Sequence, residues 1–306
     1  MHVKNKGLML VFLTALVSGF SIFINSYGVK GFDSSIFTFS KNLVVGVLLL
    51  GIILGLGQLR HLGQLSRKQW LQLAGIGLLG GSIPFLLFFR GLQIASGATS
   101  AFIHKTLFIW VSILAVWLLK EKVTKGLLIG AALLLAGNFL FLRPHITLSM
   151  GHALILLATL LWAAENTWSK HAVKNISGTV VAWGRMTFGA GFIFAFLLAT
   201  GKAPFLLSMS ATQCAWIVVT SAFLLLYVLS FYNGIGYINI STATSILVLG
   251  SPITTTLNWI FNGASVTVYE GIGMLLILGG VVSVVWFTEL SQKIKALLTS
   301  PAYERD

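Results

Sequence analysis

Eight side chains of this 306-residue sequence stand where they could do chemistry: Lys41, His104, Lys105, Trp110, Trp162, Glu165, Arg185 and Tyr232. The five ionisable ones all lie inside long apolar stretches. A charge near the centre of a bilayer costs about 3 kcal/mol on insertion scales, so such a residue normally faces a partner or a watery cavity. His104-Lys105 is the sharpest signal. Adjacent helical residues point about 100° apart, so at most one of the two points squarely into a cavity. Lys105 either holds a solute carboxylate there or snorkels outward. Lys41 and Arg185 could bind substrate or clamp helix ends and lipid phosphate. Glu165, the one acidic residue deep in an apolar stretch, could neutralise a cation, hold a substrate ammonium, carry a proton or serve a structural ion pair. Trp110, Trp162 and Tyr232 could stack on a solute, or pack against lipid and neighbouring helices.

This is binding chemistry. The sequence has no phosphate-binding P-loop, no G-x-S-x-G and no H-E-x-x-H. Its single cysteine, Cys214, excludes an intrachain disulfide, and no Cys/His cluster has metal-ligand spacing. The reading is of a protein that is not an enzyme, with no catalytic residue, metal or cofactor.

The elements that must position these residues are membrane helices. The chain is 57% hydrophobic and only 9% charged, with mean hydropathy +0.93, against about 25% charged in a soluble domain. A span needs roughly 20 mainly apolar residues that satisfy their own backbone, and the apolar runs lack the two-residue alternation of a barrel strand. The pattern predicts ten helices, at 7–27, 35–57, 70–90, 97–118, 126–142, 151–170, 179–199, 213–232, 241–261 and 268–288. A net charge of +13 would suggest nucleic acid in a soluble protein. Here thirteen Lys and Arg, from Lys4 and Lys6 to Lys293, Lys295 and Arg305, fall on the N-terminal face, and four (Lys30, Arg90, Arg143, Lys202) on the other. That asymmetry predicts both termini in the cytoplasm, in the inner membrane, with no nucleic-acid partner.

The chain also repeats itself. Residues 88–137 lie without a gap over residues 231–280 at an offset of 143, with twelve of fifty positions identical, among them Gly91/Gly234, Thr99/Thr242, Val123-Thr124/Val266-Thr267, Gly130/Gly273 and Gly137/Gly280. A weaker match at offset 144 sets Leu13–Gly46 over Leu157–Ala190. It argues that the first apolar run is a span and not a removable leader. The expected organisation is a five-helix repeat over residues 1–145, a second over 146–290 and a short cytoplasmic tail at 291–306. Five is odd, so the second copy enters the membrane inverted. Inverted repeats place a substrate site at their interface near the midplane and expose it alternately to the two sides.

Several local patterns then resemble the drug/metabolite transporter superfamily, in its EamA-type branch, over almost the whole chain. Leu160–Val173, with Trp162-Ala163, resembles that family's opening helix. Ser251-Pro252 resembles the proline of its fourth helix, and Trp117–Gly137 its helix end, Glu121 and glycine-rich last helix; Lys41 and Arg185 sit where an arginine is usual. The two halves differ at these points, with Trp162 matched by Ser18, Pro252 by Ile109 and Glu121 by Ala264. The resemblance implies that the third and fourth helices of each repeat help form the cavity and the fifth packs behind. The function expected is secondary transport of a small polar metabolite by alternating access, an amino acid or other zwitterionic or anionic solute. The alternatives are export of drugs or organic cations on the same fold and, further off, lipid handling. The partners would be a small-molecule substrate, a coupling proton or counter-solute and the lipid bilayer, with the protein a monomer or homodimer.

Overall fold

The computed structural model describes residues 2–28, 32–95, 97–144 and 149–298, so Lys30 and Arg305 lie outside the described residues. Ten long helices run through it: α1 (His2–Gly28), α2 (Ser34–Gly55), α3 (Arg67–Ile94), α4 (Gly97–Leu119), α5 (Lys125–Leu142), α6 (Met150–Ala172), α7 (Gly178–Ala199), α8 (Ala211–Gly234), α9 (Ile240–Asn262) and α10 (Val268–Leu298). The last continues eight residues into the stretch read as tail. Their starts are written in short polar side chains that accept the unpaired first-turn N–H groups. Ser66 and Ser210 form capping boxes with Gln69 and Gln213, and Asp33, Ser149 and Ser177 cap α2, α6 and α7.

Nine of the ten are long and apolar enough to cross a membrane. The tenth, α6, is long enough at 23 residues but carries Glu165, Asn166, Lys170 and His171, which lower its apolarity. Glu165 and Asn166 face inward, at 1% and 7% exposure. Meanwhile Leu43, Val47, Trp117, Leu128 and Leu275 are exposed, as expected of surfaces whose solvent is lipid tail.

The repeat is visible in detail. Helix α4 is broken into Gly97–Lys105 and Leu107–Leu119, and α9 into Ile240–Leu247 and Gly250–Asn262. Both pairs of segments start at positions 143 apart, and both helices end at positions 143 apart. Each ends on a left-handed residue, Lys120 (φ 59°) and Gly263 (φ 63°). The shared Val-Thr of the sequence is the entry to the last helix of each half. Thr124 and Thr267 are its N-caps, accepting from Leu127 N–H and Glu270 N–H.

The packing exchanges the halves as a two-fold requires. Helix α1 packs on α8 and α9, and its counterpart α6 packs on α3 and α4; α2 lies on α7 and α5 on α10. Two sets of close glycine approaches show the same exchange. Gly130 meets Gly280 as Gly273 meets Gly137, and Gly7 meets Gly234 as Gly151 meets Gly91. At each contact a Cβ would press on the facing carbonyl, which is why small residues are kept there. Gly7 and Gly151 also mark the first helix as a true member of the repeat. The fold is thus all-helical, ten membrane helices in two inverted sets of five.

Candidate functional site

The site begins with a break in α3. Residues 80–84 read Gly-Gly-Ser-Ile-Pro. Pro84 has no N–H, so the carbonyl of Gly80, four residues earlier, loses its helical partner. Phe85 N–H turns to Ser82 instead of Gly81, which frees a second carbonyl. Side chains from other helices take both. Arg185 donates through one terminal nitrogen to Gly80 O (2.9 Å), Trp162 donates its indole N–H to the same oxygen (3.1 Å), and Asn42 donates to Gly81 O (2.8 Å). Gly80 is also a point of close approach. A Cβ there would lie 2.5 Å from Glu165 Cγ and 2.8 Å from Arg185 Nε.

Around this break the polar groups converge. Glu165 Oε1 accepts from the hydroxyls of Ser169 (2.6 Å) and Tyr232 (2.7 Å), and Arg185 Nε lies 3.9 Å away. That nitrogen is buried and makes no hydrogen bond among the described residues. The same is true of His104 Nδ1. Its ring packs on Trp162 (centroids 5.0 Å apart) and on Phe88 (5.1 Å), while Phe85 meets Trp162 edge-on at 5.1 Å. Between these walls is a cavity of about 290 Å³, lined from both halves by α1, α3, α4, α6, α7 and α8.

His104, Trp162, Glu165, Arg185 and Tyr232 therefore meet at one cavity; Lys105, Lys41 and Trp110 are not among its lining residues. His104 takes the inward direction at the break in α4, so Lys105, one residue on, points elsewhere. Trp110 is tied to its own helix by its indole N–H, donated to Thr106 Oγ1 (3.1 Å). Lys41 is the repeat counterpart of Arg185 but lies over the ring of Phe37 at 4.8 Å. Its surroundings explain the difference. The counterpart of Glu165 is Ser21, and the counterpart of the broken turn in α3 is a continuous stretch of α8, so among the described residues the carboxylate and the freed carbonyl that Arg185 meets have no match in the other half. Helix α9 supplies no lining residue, so the expectation that both fourth helices form the cavity holds for α4 alone, while α1 and α6 contribute to the wall.

Reasoning from the sequence missed Gly80, Pro84 and Ser169. The signal for the first two was present, a proline four residues after a glycine inside an apolar run. It also missed Ser18 and Ser21, which line the cavity at the positions matching Trp162 and Glu165.

The chain is similar to known proteins. The profile of the EamA-like transporter family matches residues 5–143 and again 149–286, once for each half. Protein LicB of Haemophilus influenzae is 24% identical over 153 residues, 48% of this chain and 52% of LicB, so the chain spans about half the length of the curated relative it matches. A solved crystal structure of a protein superposes with TM-score 0.75 over 93% of this chain and 98% of that one, at 15% identity, a likeness of fold alone. The chain is a multi-pass membrane protein and belongs to the EamA-like transporter family, whose members are transporters and not enzymes.

Proposed function

We propose that the protein is a secondary transporter that carries a small zwitterionic solute, such as an amino acid, through the central cavity by alternating access. The observation that carries this reading is the convergence of Glu165, Arg185, Tyr232, Trp162 and His104, from both halves, on one 290 Å³ space. Glu165 offers a carboxylate to an ammonium group, and Arg185 Nε, which makes no hydrogen bond among the described residues, offers a donor to a carboxylate. The rings of Phe85, Phe88 and Trp162 cover the solute's apolar part. A purely anionic solute is less well served, because Lys41 and Lys105 lie off the cavity and Arg185 is offset by Glu165. Coupling to a proton would run through Glu165, the acid on the cavity wall; exchange against a counter-solute would need no acid. The moving units are residues 1–145 and 146–290. The thirteen-to-four distribution of cations supports the inner membrane with both termini cytoplasmic.

The aromatic walls favour a second reading, an organic-cation exporter, since a cation held against ring faces gains about 0.5–2 kcal/mol. Flux into proteoliposomes containing only this protein separates the two. Saturable uptake of amino acids, lost in Arg185→Gln and in Glu165→Gln, is the expected result. Uptake of quaternary amines alone, insensitive to Arg185→Gln, selects the second reading. No flux of zwitterions, amines or organic acids refutes both.

A further inference from the structure

On the face that holds the N-terminus, the first half of α9 is packed inward. Six of the eight residues of Ile240–Leu247 are buried, Ile240, Ser241 and the run Ala243–Ile246. The first N–H groups of a helix have no partner within it, and the N-cap Asn239 gives them none from its side chain. They are satisfied from the other repeat. Glu121, in the connection between α4 and α5, accepts Ile240 N–H on Oε1 (2.8 Å) and Ser241 N–H on Oε2 (3.3 Å), and Oε2 also accepts the Ser241 hydroxyl. A carboxylate suits this place, because a helix N-terminus carries partial positive charge. Lys170 ties the end of α8 just before this segment, donating to Ile235 O (2.6 Å).

The opposite face is built differently. The matching segment of α4, Gly97–Lys105, buries only Thr99 and Ser100 among its nine residues. The residue that matches Glu121 is Ala264, whose side chain has no acceptor to offer. Both helices are interrupted at matching points, Thr106 and Val248-Leu249, so each first half is jointed to its second. The break in α4 lies at the cavity, where His104 and Leu107 form part of the wall, whereas α9 stays clear of it.

We propose that Glu121 is a latch. It holds the first half of α9 closed across the N-terminal face and must let go when that segment swings out and its α4 counterpart swings in. Among the described residues no carboxylate stands at the matching place on the far face, so the resting protein keeps its cavity open to that side. This rests on the alternating-access reading above, but its test reads accessibility and needs no transported solute. A failed flux assay and a failed latch are therefore separate results.

The exposed Cys214 is first replaced by serine, and single cysteines are placed at Ala243, behind the latch, and at Ser21, on the cavity wall. Maleimide labelling rates are then measured in purified protein. Losing even one charge-assisted hydrogen bond changes an equilibrium by roughly tenfold or more. Glu121→Gln should therefore raise the rate at Ala243→Cys by about tenfold and slow labelling at Ser21→Cys. An unchanged rate at Ala243→Cys, or a rise at both sites together, overturns the proposal. Should Glu121→Gln fail to fold, Ala264→Glu reads the same idea from the other face. It should slow labelling of Ser21→Cys, and an unchanged rate there counts against the latch.

Discussion

Replacing Glu165 by glutamine isolates the charge at the centre of the site. Glutamine keeps the length of the side chain and an oxygen that can still accept from Ser169 and Tyr232, so the geometry of those two bonds survives. What disappears is the negative charge 3.9 Å from Arg185 Nε. Two charges at that separation interact by about 4 kcal/mol at the effective dielectric suited to such sites. Removing one partner of a buried pair costs about 3–5 kcal/mol, because the other is left uncompensated. The bonds from the two hydroxyls also fall from charge-assisted to neutral, roughly 1 kcal/mol each. The carboxylate's own desolvation cost is relieved in return. Taking about 3–5 kcal/mol as the net loss and about 2 °C per kcal/mol for a chain of this size, the melting temperature in detergent should fall by roughly 6–10 °C. The double variant Glu165→Gln/Arg185→Met should recover part of that loss, because no uncompensated charge remains; neighbouring pairs of this kind couple by about 0.5–3 kcal/mol. Melting within about 1 °C of the parent, or strictly additive losses, would refute the view that Arg185 depends on Glu165.

Gly80→Ala should lower both stability and solute binding. Its Cβ would lie 2.5 Å from Glu165 Cγ, an overlap of the kind that costs about 1–3 kcal/mol, and an unshifted melting curve would contradict the packing described. Tyr232→Phe removes one donor to the carboxylate and should cost about 1–3 kcal/mol, read as a lower melting temperature with monodispersity unchanged. At the far face, burial alone would raise the pKa of Asp33, but the hydrogen bond from Lys202 (2.6 Å), the N–H groups of Ile36 and Ser35, and the charge of Lys202 together hold it below the ordinary 3.8. A depressed carboxyl stabilises the fold above its ordinary value and loses that contribution as the pH falls through its lowered one. The melting-temperature gap between Asp33→Asn and the parent should therefore be present at neutral pH and close in acid below 3.8; a gap that does not change with pH would contradict it. Reporter fusions after Lys125 and Lys174 should report the cytoplasm, and fusions after Arg143 and Lys202 the outside. A reversed pattern at any two of these sites would refute the orientation.

The architecture was legible because it rests on quantities that a sequence displays directly. Apolar length gives the spans, and a gapless offset gives the repeat. The Val-Thr pair proved informative for a physical reason: threonine there is an N-cap in both halves, and a cap must keep its register with the helix it starts. The direction of each side chain was not legible. Nothing in the letters says that His104 and not Lys105 faces the cavity, because the two differ by one helical step and only the neighbours of α4 decide between them. The comparison of Arg185 with Lys41 shows what was missing. They occupy matching positions, yet the surroundings of Arg185 are set by a proline and a glycine on another helix, more than a hundred residues away. The same holds for the cavity wall. Trp162 and Glu165 on α6 match Ser18 and Ser21 on α1, and all four line the space. The two-fold chooses which positions face the cavity, while the side chains chosen there are unequal, aromatic and acidic on one side and hydroxyls on the other. Under the proposed function a solute would meet two different walls there and so have one preferred orientation.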